Sequence, residues 1–117
     1  MEKSVVTIND ISNTVSESIK ECLGDKLCKI ILYGSYARGD FNEDSDIDVM
    51  VLADINDDKE LYKMEKTLWD IGWDIGTRYN IMVSIFLKSN NHFYEWIDVM
   101  AYYQNIIEDG VVLYGTQ

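Results

Sequence analysis

Two short clusters of polar residues, each beside an apolar run, carry the side chains in this sequence that could do chemistry. Asp46 and Asp48 lie at the start of the run IDVMVLA, and two positions along a strand span about 6.6 Å on one face. Carboxylates spaced in this way can bind one divalent cation between them, and an oxygen-only donor set suits Mg²⁺ or Mn²⁺. The pair predicts a metal site, although Asp-x-Asp alone is a weak signal in a chain with 21 acidic residues.

Gly34 and Ser35 close the preceding apolar run CKIILYG, where the chain must turn. Glycine allows a ligand to approach the backbone, and a short helix starting in SYAR would present N–H groups that bind an anion such as a triphosphate. Ser35 adds a hydroxyl, and Arg38 adds a planar cation that suits phosphate oxygens. Each feature alone is more often a turn or a surface residue, but the two clusters at two strand ends together predict phosphoryl-type chemistry.

Apolar periodicity predicts the elements that hold these clusters. A first helix ends near Gly24, CKIILYG forms a strand, and DIDVMVLA forms a second strand after the polar loop. Asp57 and Glu60 resemble a capping box that opens a long amphipathic helix. The apolar positions at helical spacing are Ile8, Ile11, Val15, Ile19 and Cys22 in the first helix, and Leu61, Met64, Leu68, Ile71 and Ile75 in the second.

The rest of the chain predicts one more strand, one more helix and a short extended end. The run IMVSIFL predicts a strand over 81–87, a single helix ends at Gly110, and VVLYG is extended. Alternating helices and strands indicate an α/β fold with helices packed on a small sheet. The residues predicted to share one face of that single helix are Phe93, Trp96, Ile97, Met100 and Ile107.

Composition restricts the compartment and the partners. No window approaches a membrane span, and the N-terminus lacks a signal-peptide pattern. With only Cys22 and Cys28 as thiols, the sequence predicts a cytoplasmic protein and a single domain over residues 1–117. A net charge of −11 disfavours direct binding to nucleic acid or an anionic membrane, and it leaves open a divalent cation, a metal-bound nucleotide or a basic protein as partner.

The remaining candidates have simple structural interpretations. His92 is the only histidine, and its place beside a predicted helix start favours a surface residue over a general base. Trp69, Trp73 and Trp96 suggest a base-stacking platform, but aromatic residues at helical spacing more often pack a core or a subunit interface. Their concentration in the last two predicted helices favours a protein partner, and it leaves a homo-oligomer open.

The stretch GSYARGDFNEDSDIDVMV resembles the signature of the DNA-polymerase-beta-like nucleotidyltransferase superfamily. The chain length and the ending FYEWIDVMAYYQNIIEDGVVLYG are similar to its minimal nucleotidyltransferase (MNT) domains, which include antitoxins of the MntA type. The resemblance implies a nucleotidyltransferase fold, like the polymerase-beta palm, with a small mixed sheet flanked by helices. It also implies that Gly34 and Ser35 contact a nucleotide triphosphate and that Asp46 and Asp48 hold the catalytic metals.

One position departs from the family pattern. Active members commonly use a third carboxylate on a neighbouring strand, and the matching stretch NIMVSIFLKS contains no acid. Ser84 stands where that acid is expected. Asp70 and Asp74 are the nearest acids in sequence, but they fall on the solvated side of the preceding predicted helix.

The resemblance implies a metal-dependent enzyme that moves a nucleoside monophosphate, AMP from ATP by default, to a hydroxyl. A HEPN-domain toxin is the leading acceptor, so the protein would act as its antitoxin. The alternative is a catalytically weak or silent module of the same fold that neutralises a toxin by occluding it. A nucleotide-sensing domain, which binds Mg-ATP without transfer, is a third interpretation.

Overall fold

The computed structural model describes residues 8–39, 42 and 46–115. Asp44, the first of the three aspartates around the second strand, lies outside the described residues. The elements in chain order are α1 (Ile8–Leu23), a 3₁₀ turn (Gly24–Lys26), β1 (Leu27–Tyr33), α2 (Ser35–Arg38), β2 (Ile47–Ala53), α3 (Asp58–Tyr79), β3 (Val83–Ser89), α4 (Asn90–Trp96), α5 (Ala101–Asp109) and β4 (Val111–Tyr114).

The four strands form one mixed sheet in the order β3-β2-β1-β4. β1 pairs antiparallel with both β2 and β4, whereas β2 pairs parallel with β3. This sheet, flanked by helices, confirms the predicted fold class. The register places Asp48 between Tyr33 on β1 and Ser84 on β3.

The two faces of the sheet are covered by different helices. Ile47, Val49 and Val51 point into a core that α1 and α3 cover, whereas Met50 and Leu52 contact a second cluster. That second cluster includes Phe93 of α4, and Tyr103 and Ile106 of α5. Because strand side chains alternate, Asp48 lies on the same face as Met50 and Leu52, away from α1 and α3.

The predicted cap of α3 is confirmed. The Asp57 side chain accepts a 2.9 Å hydrogen bond from the Glu60 N–H, which satisfies one of the donors that a helix start leaves without an intrahelical partner. At the other end, Asn80 adopts a left-handed conformation, and the Ile81 N–H returns to the Gly76 carbonyl. This closing turn occupies the start of the predicted strand, so β3 runs over Val83–Ser89 rather than 81–87.

The prediction of a single helix that ends at Gly110 is wrong, because the chain breaks between α4 and α5. Trp96 ends α4, and Met100 is extended, with φ −109° and ψ 106°. The Gln104 side chain donates to the carbonyls of Ile97 and Asp98 at 2.9 and 3.0 Å. These two bonds satisfy carbonyl groups that a continuous helix would have paired internally.

The described helices include none with the combined length and apolar character of a membrane span. Both cysteine thiols are free. Burial raises the pKa of the Cys22 thiol, whose sulfur lies 3.4 Å from the sulfur of Met64. Cys22 therefore acts as a packing residue between α1 and α3 rather than as a reactive thiolate.

Candidate active site

The turn after β1 brings the backbone of Gly34 against the side chain of Asp48. Gly34 has φ +79° and ψ −157°, a conformation that essentially only glycine adopts. A Cβ atom at this position would lie 2.7 Å from Asp48 Oδ2. The missing side chain therefore allows the carboxylate of β2 to reach the turn.

The predicted short helix after this turn is present as α2. The Arg38 N–H donates to the Gly34 carbonyl at 3.1 Å, and the Gly39 N–H donates to the Ser35 carbonyl at 2.9 Å. Helix geometry leaves the first N–H groups of such a turn without intrahelical acceptors, so they are directed towards the Gly34 side of the loop. Arg38 lies in the last turn and is exposed.

Asp46 and Asp48 interact at the start of β2. Asp46 directly precedes the strand and is exposed, whereas Asp48 is half-buried. Burial, and second the negative charge of Asp46, raise the pKa of the Asp48 carboxyl. Asp46 also faces Tyr36 of α2, since burial and then the charge of Asp46 raise the pKa of that phenol. The two acids and the start of α2 therefore share one electrostatic environment.

The chemistry of this donor set fits a divalent cation. Burial and the neighbouring negative charge make the ionised form of Asp48 costly, and a cation between the two carboxylates would offset that cost. In the described part of the chain, no group of three or more acidic, histidine or cysteine side chains could hold a metal. Asp46 and Asp48 would be the protein ligands, and the metal assignment stays a prediction.

Ser84 lies beside Asp48 in the parallel pairing of β2 and β3. The strand position at which the family pattern places a third carboxylate is therefore next to Asp48, and in this chain it carries a hydroxyl. Asp70 and Asp74 do not replace it, because both are exposed on α3, which packs on the other face of the sheet. Asp74 instead pairs with Arg78 at 3.1 Å.

Sequence reasoning missed a tyrosine pair next to the acids. Tyr33 is the β1 residue opposite Asp48, and its hydroxyl lies 2.9 Å from the hydroxyl of Tyr102 on α5. Burial, the bond to Tyr102 and the charges of Tyr102 and Asp48 raise the pKa of Tyr33. The position of Tyr33 directly before Gly34 indicates that it lies near the candidate site, but no local pattern indicates its contact with Tyr102.

The other candidates lie elsewhere. His92 lies in the first turn of α4, where its N–H donates to the capping Ser89 hydroxyl. It lines a groove near Asn56 and Glu65. That groove is at the Ser89 end of β3, about 16 Å along the strand from Ser84 at ordinary strand rise. His92 is therefore remote from the acidic pair. The three tryptophans are exposed rather than packed in the core.

Comparison with known proteins identifies the family. Residues 12–113 match the sequence model of the nucleotidyltransferase domain. The chain is 32% identical over 97 residues to MJ0604, a candidate protein adenylyltransferase of Methanocaldococcus jannaschii, covering 83% of this chain and 88% of that protein. It is 37% identical over 79 residues to a second such protein of the same organism, MJ0141, covering 66% of this chain and 75% of the relative.

Solved structures share the fold. A toxin–antitoxin structure with AMP-PNP aligns with a TM-score of 0.56 at 24% identity, covering 91% of this chain and 74% of that chain. A mutant of the MntA-HpeT toxin–antitoxin aligns with the same TM-score and coverage at 22% identity. Together with the family match, these findings confirm the predicted fold and the predicted enzyme class. The chain belongs to the nucleotidyltransferase domain family.

Proposed function

We propose that this protein transfers AMP from ATP to a hydroxyl group on a partner protein, with a HEPN-type toxin as the partner and Mg²⁺ or Mn²⁺ as cofactor. The observation that carries the proposal is the contact between the Asp48 carboxylate and Gly34, with Asp46 adding its charge to the same place. This contact joins a nucleotide-binding turn to an acidic pair, which is the arrangement that phosphoryl-type transfer needs.

In this reaction the acceptor oxygen attacks the α-phosphorus of ATP, the bond from that phosphorus to the bridging oxygen breaks, and pyrophosphate leaves. The hydroxyl proton passes to solvent or to a carboxylate at the site. Gly34 and Ser35 bind the phosphates, and Arg38 neutralises charge on them. A divalent cation held by Asp46 and Asp48 would supply charge neutralisation and lower the pKa of the acceptor hydroxyl.

The relatives support a protein as acceptor. Two similar archaeal proteins are named as candidate protein adenylyltransferases, and structures of the same fold are toxin–antitoxin complexes, one of them with AMP-PNP. The strongly acidic surface, with a net charge of −11, suits a basic protein partner better than a polynucleotide.

The test is transfer of label from α-labelled ATP to the protein encoded by the adjacent gene, in the presence of Mg²⁺. We expect labelling by the wild type and a loss of at least about a hundredfold in the Asp46→Asn, Asp48→Asn double variant. Labelling that persists in the double variant would remove the acidic pair from the mechanism. The Asp98→Asn variant, which alters an exposed carboxylate on the turn between α4 and α5, serves as the control.

A second candidate function is occlusion of the toxin without turnover. The observation in its favour is Ser84, which puts a neutral side chain beside Asp48 where a third acid is expected. Toxin neutralisation that survives the double variant, with no label transferred by the wild type, would support this function. Mg-ATP binding without transfer or neutralisation would instead support a nucleotide-sensing domain.

A further inference from the structure

Helix α3 exposes three large aromatic side chains. Trp73 is 77% exposed, Tyr62 is 58% exposed and Trp69 is 47% exposed. Tyr62 and Trp69 are seven residues apart and Trp73 follows four residues later, so the three lie on one stripe of the helix. Tryptophan and tyrosine contribute more contact energy than other side chains at protein interfaces. The stripe is therefore a candidate contact surface.

The stripe lies on the flank of α3 next to the outer edge of the sheet. Glu65 on this flank accepts a 2.9 Å bond from the Leu87 N–H of the edge strand β3, and Trp73 borders a groove with Met82 and Val83. The opposite flank contacts α1 through Met64. Glu65 thus occupies one backbone donor on the open edge of β3, which makes strand addition at that point less favourable.

Charges beside the stripe change sign along the helix. Lys59, Lys63 and Lys66 are exposed in the first half of α3. Asp70 and Asp74 are exposed on the same side in the second half, at helical spacing from the lysines. Asp74 is paired with Arg78 at 3.1 Å, so Asp70 is the acid on which the complementarity depends. A row that is basic in one half and acidic in the other is complementary to itself when two copies run in opposite directions.

We propose that α3 is a homodimer interface, in which the helices of two copies pair antiparallel about a two-fold axis. With the axis midway between Lys66 and Asp70, Lys66 of one copy faces Asp70 of the other, and Tyr62 faces Trp73. A two-fold interface uses the same patch on both copies, and this patch meets that condition.

α3 carries little net charge for so acidic a chain. It contains four basic and five acidic residues, a net charge of −1, whereas the remaining residues carry −10. Two copies that meet through α3 therefore bring little of the excess negative charge into contact. Large aromatic side chains bury about 150–250 Å² each when fully covered, so at their exposed fractions of 77%, 58% and 47% the three supply about a third to a half of the roughly 800 Å² per partner of a standard interface.

Sedimentation velocity across a wide concentration range tests the dimer. We expect the wild type to dimerise and Trp69→Glu to raise the dimer dissociation constant by about 30-fold or more, as for a buried interface aromatic residue. Trp96→Glu on α4 is the matched control, because Trp96 is 46% exposed, and it should leave the constant unchanged. Trp73→Glu repeats the test at a position with less packing in the monomer, and circular dichroism checks that each variant folds.

Charge reversal tests the antiparallel arrangement. Lys66→Asp places aspartate opposite Asp70 and should raise the dissociation constant about fivefold, and adding Asp70→Lys should restore it. A wild type that is monomeric at all concentrations would overturn the proposal. Equal effects of Trp69→Glu and Trp96→Glu would also overturn it, and a double reversal that fails to restore dimerisation would refute the antiparallel pairing.

Discussion

The negative charge of Asp48 costs the fold stability, whereas the candidate metal site needs that charge. Its carboxylate contacts the turn at Gly34 and faces the charge of Asp46. Both the partial burial and the neighbouring acid disfavour the ionised form. The folded chain is therefore less stable with this carboxylate charged, and a bound cation would offset that effect.

Replacing Asp48 by asparagine should stabilise the protein in the absence of divalent metal. The pKa of Asp48 is raised on folding, so the stability that its protonated form provides is present at low pH and is lost as the pH rises through the folded pKa. Asparagine does not ionise, so the Asp48→Asn variant does not lose stability in this way. We expect its Tm to exceed that of the wild type by a few degrees at neutral pH, and the difference to vanish below the usual carboxyl pKa of 3.8.

Thermal unfolding in a chelating buffer measures this effect. Asp98→Asn is the control, because this exposed side chain is on the turn between α4 and α5. A Tm for Asp48→Asn at or below that of the wild type at neutral pH would contradict the electrostatic account of the site.

Gly34→Ala should damage the site more than the backbone strain alone predicts. Gly34 and Gly39 have similar φ angles, +79° and +83°, but a Cβ at Gly34 would meet Asp48 Oδ2 at 2.7 Å, whereas a Cβ at Gly39 would meet nothing within 4 Å. Each substitution should cost about 1–2 kcal/mol of unfolding free energy through its positive φ. Only Gly34→Ala should also abolish Mg-ATP binding, measured by calorimetry, because it displaces the carboxylate.

Equal retention of nucleotide affinity in both glycine variants would show that the space beside Gly34 is not used by the ligand. The comparison separates backbone strain from displacement of the Asp48 carboxylate, because the two glycines flank the same short helix, α2.

At the level of the elements, sequence patterns predict those helix and strand ends that are fixed by residues adjacent in the chain. The cap at Asp57, the strand ending at Tyr33 and the short helix starting at Ser35 all follow from residues adjacent in sequence. The break after Trp96 does not, because the apolar residues on both sides keep helical spacing and the stabilising bonds come from Gln104. The contact of Tyr33 with Tyr102 and the pairing of Asp48 with Ser84 depend on tertiary register, which no local pattern encodes.

The break between α4 and α5 should depend on Gln104. Gln104→Ala removes two hydrogen bonds to the carbonyls of Ile97 and Asp98, and it should lower the free energy of unfolding by about 1 kcal/mol. The neighbouring exposed residue Asn105, changed to alanine, should have an effect within about 0.5 kcal/mol of zero. Urea denaturation of both variants checks this, and similar losses in the two would show that the Gln104 bonds do not fix the turn.

At the level of the whole molecule, the acidic surface and the candidate site respond differently to ions. A net charge of −11 destabilises the compact state through self-repulsion, which any salt screens.

The sheet separates the two surfaces proposed here, since the acidic pair lies on the face opposite α3. Two copies joined through α3 would therefore leave both sites open to a partner.

Magnesium should stabilise the protein beyond the effect of screening. At matched ionic strength, MgCl₂ should raise the Tm more than NaCl does, because a ligand that binds only the folded state adds stability that grows with its concentration. The excess should disappear in the Asp46→Asn, Asp48→Asn variant, while the response to NaCl remains. Thermal scans in the two salts measure both effects, and an equal response to the two salts in the wild type would argue against a specific site.

The parallel pairing of β2 with β3 also has an evolutionary consequence. Gly34, Asp46 and Asp48 come from one continuous hairpin and are inherited together, whereas the position beside Asp48 is supplied by a strand encoded much later in the gene. One codon change at Ser84 can alter the charge of the pocket and leave the hairpin untouched. The position beside Asp48 can therefore change in evolution independently of the other three site positions.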